Sequence, residues 1–184
     1  GAIDLKIDNH SYYNGMLNAS TTWEVSDLTI QKFFDFPDLK PGDIGEDTIS
    51  LHVNNNDAYL CANVKLTSND ENGQTEPEAL VDATTGPGVG AGLGELASNV
   101  NFVWWADDGD NVYEKGERIF KQGYAKDIFD GKNWTLADAS GNIWSSYKND
   151  PVLPDTVKYI GKAWCFGNIT LNPVNQDGKG KTGN

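Results

Sequence analysis

FFDFPDLKPGDIGEDTISLHVNNNDAYLCANVKL, residues 33–66, reads as turn, strand, turn, strand, and that alternation decides the fold class of the chain. Pro37, Pro41 and Gly42 punctuate its start, since proline fixes φ and glycine supplies left-handed backbone at turns. Thr48, Ile49, Ser50, Leu51, His52 and Val53 then alternate polar with apolar side chains. A period of two puts the apolar members on one face of a strand, so one face is buried. Asn54, Asn55, Asn56 and Asp57 turn the chain. Leu60, Val64 and Leu66 next alternate with Cys61, Asn63 and Lys65, which predicts a hairpin partner that faces the same core.

The same short periodicity recurs on either side. Ile3, Leu5 and Ile7 predict one strand; Trp23, Val25 and Leu28, followed by Phe33, Phe34 and Phe36, lead into the turn before Asp38. Core strands are expected at 100–105, 157–166 and 169–171. Adjacent Trp104 and Trp105 must point to opposite faces, so a sheet covered on one side buries only one of them. From 67 to 97 the pattern stops in a polar, acidic and then glycine-rich excursion, with one short helix expected near 76–81. Its GPGVGAGLG run does not follow phosphate-loop spacing, and no Lys-Ser/Thr follows it, so a surface loop is the reading. The expected architecture is all-β: an antiparallel two-sheet, jelly-roll-like sandwich with long surface loops. A single domain is expected over 1–184, with the long loop at about 67–98 and a polar tail from about 173.

Composition narrows the function classes. A formal net charge of −13 over 184 residues repels phosphate, which argues against nucleic-acid partners and anionic membrane surfaces. The sequence holds no apolar run long enough to span a bilayer, and no charged-then-apolar leader. A secreted protein whose signal peptide has been removed fits both observations. Asn18-Ala19-Ser20, Asn133-Trp134-Thr135 and Asn168-Ile169-Thr170 are glycosylation sequons, a pattern that also arises by chance.

The stretch WWADDGDNVYEKGERIF carries the one constellation with site chemistry. Asp107, Asp108, Asp110, Asn111, Glu114 and Glu117 set hard oxygen donors around Gly109 and Gly116, and like charges crowded on a turn repel unless a cation sits among them. Ca²⁺ is the expected ion, held by Asp107, Asp108, Asp110 and Glu117 with backbone help from Val112. The spacing departs from the EF-hand pattern, so a solvated acidic hairpin loop is the competing reading. A weaker oxygen cluster, Asn69, Asp70, Glu71 and Asn72, reads as a turn. Cys61 and Cys165 sit in strand-like contexts far apart in sequence. They either pair across the sandwich, a disulfide worth roughly 4 kcal/mol on the chain-entropy model, or pack as buried thiols. His10 and His52 are the only histidines, with neither a zinc-protease helix motif nor an evident nucleophile partner, so no enzymatic activity is expected. The six tryptophans allow an alternative reading, a secreted Ca²⁺-dependent carbohydrate-binding module that stacks glycans on exposed aromatics.

GAIDLKIDN at residues 1–9 and DLKPGDIGEDTISLHV at 38–53 resemble the TasA/camelysin family of secreted biofilm-matrix proteins, which share a leading G-(S/T)-(I/L)-D-L strand and a (D/N)-L-K-P-G-D turn. The resemblance extends through NVNFVWWADDGDNVYEKGE and IGKAWCFG. It implies a jelly-roll-like subunit that polymerises with copies of itself into an extracellular fibre, some family members donating a terminal strand to the next subunit. The segment expected to be donated is Ala2, Ile3, Asp4, Leu5, Lys6 and Ile7, or one just upstream, because its alternation needs a sheet to receive it.

Overall fold

The computed structural model describes residues 1–70, 94–110 and 112–169. Within them the chain is antiparallel β-structure in two sheets, as the short alternating segments predict. Strands β1 (Asp4–Tyr13), β2 (Met16–Leu17), β3 (Trp23–Ser26), β4 (Ile44–Asn54), β6 (Val100–Asp107), β7 (Ile119–Tyr124) and β9 (Thr156–Phe166) make the large sheet. Its order is β2-β1-β4-β9-β6-β7, with β3 pairing onto β1. The small sheet holds β5 (Leu60–Lys65) and β8 (Asp130–Ala137). Two one-turn helices, α1 (Leu96–Asn99) and α2 (Ala125–Ile128), precede β6 and β8. The expected helix near 76–81, most of the glycine-rich run and the tail from 173 lie outside the described residues, as do Glu71, Asn72 and Thr170. Ile169 is not in a strand.

The expected hairpin between β4 and β5 does not form. β4 is flanked by β1 along its whole length, from Asp4↔Asn54 to Tyr13↔Gly45, and by β9 on its other edge, from Ile44↔Cys165 to Val53↔Thr156. Both edges being taken, the chain turns at Asn55, whose φ is 74°, and crosses the core. β5 then pairs with β8, from Leu60↔Ala137 to Lys65↔Asp130. The face expected for β5 is nonetheless the right one: Leu60 is buried, while Cys61, Asn63 and Lys65 face solvent. Alternation fixes which face is apolar and is silent about which strand lies alongside.

The core fills the space between the sheets with Ile7, Ile49, Leu51, Val53, Leu60, Phe102, Trp104, Trp134, Leu136, Ile160 and Trp164. Phe34 and Phe36 pack their rings on Trp164 at 5.1 and 5.0 Å, so the aromatic run before the turn closes one end of the core. The other face of the large sheet is covered too. Trp105, Val103 and Ala163 are buried there beneath Tyr113, Ile119 and Ile169. Trp104 and Trp105 are therefore both core residues, at 7% and 1% exposure, which corrects the expectation of a sheet covered on one side. Trp105 lies flat over Gly161, where an added Cβ would come within 2.1 Å of the indole.

The Asp-Leu-Lys-Pro-Gly-Asp turn works as a clasp. Gly42 has φ 89°; the Asp43 carboxylate accepts bonds from the Lys40 N–H at 2.8 Å, from the Asn14 amide at 3.1 Å and from the Tyr13 hydroxyl. The Gly42 N–H donates to the Phe166 carbonyl, and the Phe166 N–H returns to Asp43. One short motif thus ties the ends of β1, β4 and β9 together. The Tyr13 hydroxyl, donating to Asp43, is pushed up to about 12, and the same bond holds the Asp43 carboxyl below its ordinary range.

Candidate metal centre

The β6–β7 hairpin carries the acidic loop at its tip, where the sequence expects an acidic hairpin loop. Asp107 is the last residue of β6 and is 3% exposed. Its Oδ1 accepts from the Trp105 indole N–H at 3.0 Å, and its Oδ2 from the Gly109 N–H at 3.0 Å. Asp108 Oδ1 accepts from the Asp110 N–H at 3.2 Å, and Asp110 Oδ1 from the Val112 N–H at 2.9 Å. From the far side of the loop Glu117 reaches back: Oε1 accepts from the Asp108 N–H at 3.0 Å and Oε2 from the Glu114 N–H at 2.9 Å. Gly109 and Gly116, at φ 109° and 115°, let the backbone turn tightly enough for its amides to meet these carboxylates.

Two sets of carboxylate oxygens lie within 4.8 Å of one another, Asp107 with Asp108 and Asp110, and Asp108 with Glu114 and Glu117. Asp108 belongs to both. The predicted residues Asp107, Asp108, Asp110 and Glu117 are thus brought to one loop, and Glu114 joins them. Val112 faces the cluster with its N–H, and Asn111 lies outside the described residues. Burial is the main reason the Glu117 carboxyl is pushed up to about 7, and the charges of Asp107 and Asp108 add to it. Two acidic triads sharing one member offer oxygen ligands of the kind Ca²⁺ takes. Beside the loop, a shallow pocket of about 510 Å³ is lined by Asp107, Glu117, Arg118, Trp144 and Tyr159.

Of the two readings of the cysteines, the disulfide is not formed, and the buried thiol holds for Cys165 and not for Cys61. Cys61 is on β5 and exposed, Cys165 is on β9 and buried, and both are free thiols. Cys61 shares its phase with Asn63 and Lys65, so it projects away from the interior into which a partner would have to reach. The predicted donor strand is likewise corrected. Ala2 and Ile3 precede β1, and Asp4, Leu5, Lys6 and Ile7 pair with Asn54, Val53, His52 and Leu51 of their own chain. The sheet that receives their alternation is intramolecular.

His52 Nε2 lies 2.7 Å from Asp8 Oδ2, and His10 Nδ1 lies 3.6 Å from Asp8 Oδ1, so both histidines flank one carboxylate across β1 and β4. Of the six tryptophans only Trp23 and Trp144 keep an appreciable part of their surface, the other four being core. Sequence reading missed one pair altogether. Asp47 shares the buried phase of Ile49, Leu51 and Val53, and Lys162 that of Ile160 and Trp164; the two oppose each other in register, with Nζ 2.9 Å from Oδ1. A charged residue in the apolar phase of each of two strands is the signal that could have found them.

Among the described residues no helix is long and apolar enough to cross a membrane. No protein-family model matches the chain, and neither the curated proteins nor the solved structures searched contain a match.

Proposed function

We propose that the chain is a structural subunit of an extracellular filament that assembles with copies of itself by β-strand addition and is stabilised by Ca²⁺ in the β6–β7 loop. The observation that carries this reading is the mismatch between the two layers. Among the described residues a small sheet of two strands stands against a large sheet of seven, whereas a jelly roll divides eight strands between two sheets. Between the layers an apolar cavity of about 360 Å³ is lined by Ile7, Leu28, Phe34, Leu60, Phe120 and Trp134. Among the described residues the outer edge of β5 pairs with no further strand, and that of β8 meets only the bridge between Ala137 and Asn142 at its end. A strand added there satisfies a row of backbone groups and lowers alternate apolar side chains into the cavity.

The donor in this reading is a segment other than β1, whose hydrogen bonds are spent within its own sheet. The jelly-roll form and the filament follow the resemblance of residues 1–9 and 38–53 to the TasA/camelysin proteins. Negative-stain imaging and sedimentation of the purified chain, with Ca²⁺ and with chelator, test it. Filaments that withstand dilution are expected in Ca²⁺; a monomer under every condition overturns the reading. The pocket that sets Trp144 and Tyr159 beside the acidic loop favours the second reading, a Ca²⁺-dependent carbohydrate-binding module. That protein remains monomeric and is retained on a glycan column only in Ca²⁺.

A further inference from the structure

The centre of the large sheet holds a nucleophile and an electrophile side by side in a buried site. Lys162 and Asp47 are directly opposed on β9 and β4, each side chain 2% exposed, with Nζ 2.9 Å from Oδ1. The Lys162 ammonium also donates to the Phe33 carbonyl at 2.8 Å and lies 5.4 Å from the centre of the Trp104 ring. The buried Asp47 carboxyl has the Asn9 amide beside it as a second donor, next to Lys162. Asn9 is itself fully buried.

Ion pairs of this kind are poor stabilisers, because desolvating both charges costs about as much as their attraction returns. We propose that Lys162 and Asp47 are the site of a spontaneous intramolecular amide cross-link, an isopeptide bond joining β9 to β4. A proton passes from Nζ to Oδ1 along the hydrogen bond, which leaves a neutral amine facing a neutral carboxylic acid. The Nζ lone pair attacks Cγ, the Nζ–Cγ bond forms and the Cγ–Oδ1 bond breaks. Oδ1 leaves with two protons taken from nitrogen, as one water. The ammonium and the carboxylate together contain all the atoms of the amide and the water, so no oxidant, cofactor or second reactant is needed.

Three features of the fold favour the step. Register holds the two groups in contact, which replaces a bimolecular encounter with an intramolecular one worth many powers of ten in effective concentration. Burial favours the neutral acid over the carboxylate; it is the main reason the Asp47 carboxyl is pushed up to about 6 in spite of Lys162 beside it. Both side chains are 2% exposed, and the Trp104 ring lies over the Lys162 ammonium, which limits access of the water that would reverse the condensation. The product exchanges two buried charges for one neutral amide, and it fastens β9 to β4 covalently.

The test is the intact mass of the reduced, denatured full-length chain, followed by tryptic mapping. The parent chain is expected one water lighter than its sequence mass, with no cleavage after Lys162 and a branched peptide joining the segments around Asp47 and Lys162. The Lys162→Arg chain, which has no primary amine at that place, is expected at its full sequence mass. Both readouts are made on unfolded protein, so a variant that folds poorly still reports. A parent chain at full mass with free cleavage after Lys162 overturns the proposal. So does loss of one water in both chains, which would place the dehydration elsewhere.

Discussion

Replacing Gly161 by alanine tests whether the outer face of the large sheet is a second core or a loosely covered surface. A Cβ at 161 would sit 2.1 Å from both Cε2 and Cζ2 of Trp105, closer than carbon atoms can approach. The indole cannot simply step aside: Trp105 is 1% exposed, packs against Tyr113 at 5.9 Å and donates to Asp107 at 3.0 Å. Overpacking of a buried site costs about 1–3 kcal/mol and occasionally more, and two contacts this short point to the upper end. Gly161 has no left-handed φ, so alanine is free to adopt the strand backbone and returns about 0.4–1 kcal/mol through the unfolded chain. The net expectation is a loss of about 2–3 kcal/mol, a fall of roughly 4–12 °C in melting temperature for a chain of this size. Thermal melts of the parent, Gly161→Ala, Trp105→Phe and the double variant close the cycle. Since phenylalanine removes the clashing half of the indole, the double variant should be less destabilised than the two single losses summed. A Gly161→Ala protein melting with the parent would refute the packing of Trp105 on β9, and strict additivity would show that the cost arises elsewhere.

The acidic loop should be read through pH as well as Ca²⁺. Because the Glu117 carboxyl titrates near 7 when folded and near 4.5 when unfolded, its charge is a burden above about pH 7 that is relieved as pH falls towards the lower value. In chelator the melting temperature should therefore rise as pH is lowered through 7, and Ca²⁺ or Glu117→Gln should flatten that rise; an identical pH profile in all three samples would contradict the arrangement of the loop. Cys61 should react at once with a thiol reagent in the native protein and Cys165 only after unfolding, while reducing agent leaves the melting temperature unchanged; equal protection of both would mean that β5 is misoriented. Deleting residues 1–7 removes the apolar contacts of Leu5 and Ile7, each worth up to about 1.5–3 kcal/mol when fully buried, so the truncated monomer should unfold more readily. A truncated chain as stable as the parent would return this segment to the role of donor strand.

Much of this was legible in the chain. Alternation in 48–53 and 60–66 determined that these are strands and which face of each is apolar, because a period of two admits only one assignment of side chains to faces. The clustered carboxylates of 107–117 were legible for a similar reason: residues a few places apart on a hairpin tip stay together wherever the hairpin goes. Pairing is another matter. Only the tertiary structure decided that β4 takes β1 and β9 as neighbours and sends β5 to the opposite sheet, since the backbone groups that choose a partner are the same in every strand. It also decided that Leu5 and Ile7 serve their own sheet, that Cys61 points away from Cys165, and that both tryptophans of the 104–105 pair are buried, because coverage of the second face comes from Tyr113, Ile119 and Ile169, residues distant in sequence from much of what they cover. The meeting of Asp47 with Lys162 is the clearest case. Each charge in an apolar phase is visible alone, yet that the two cancel each other depends on a register between strands more than a hundred residues apart, and no local period encodes it.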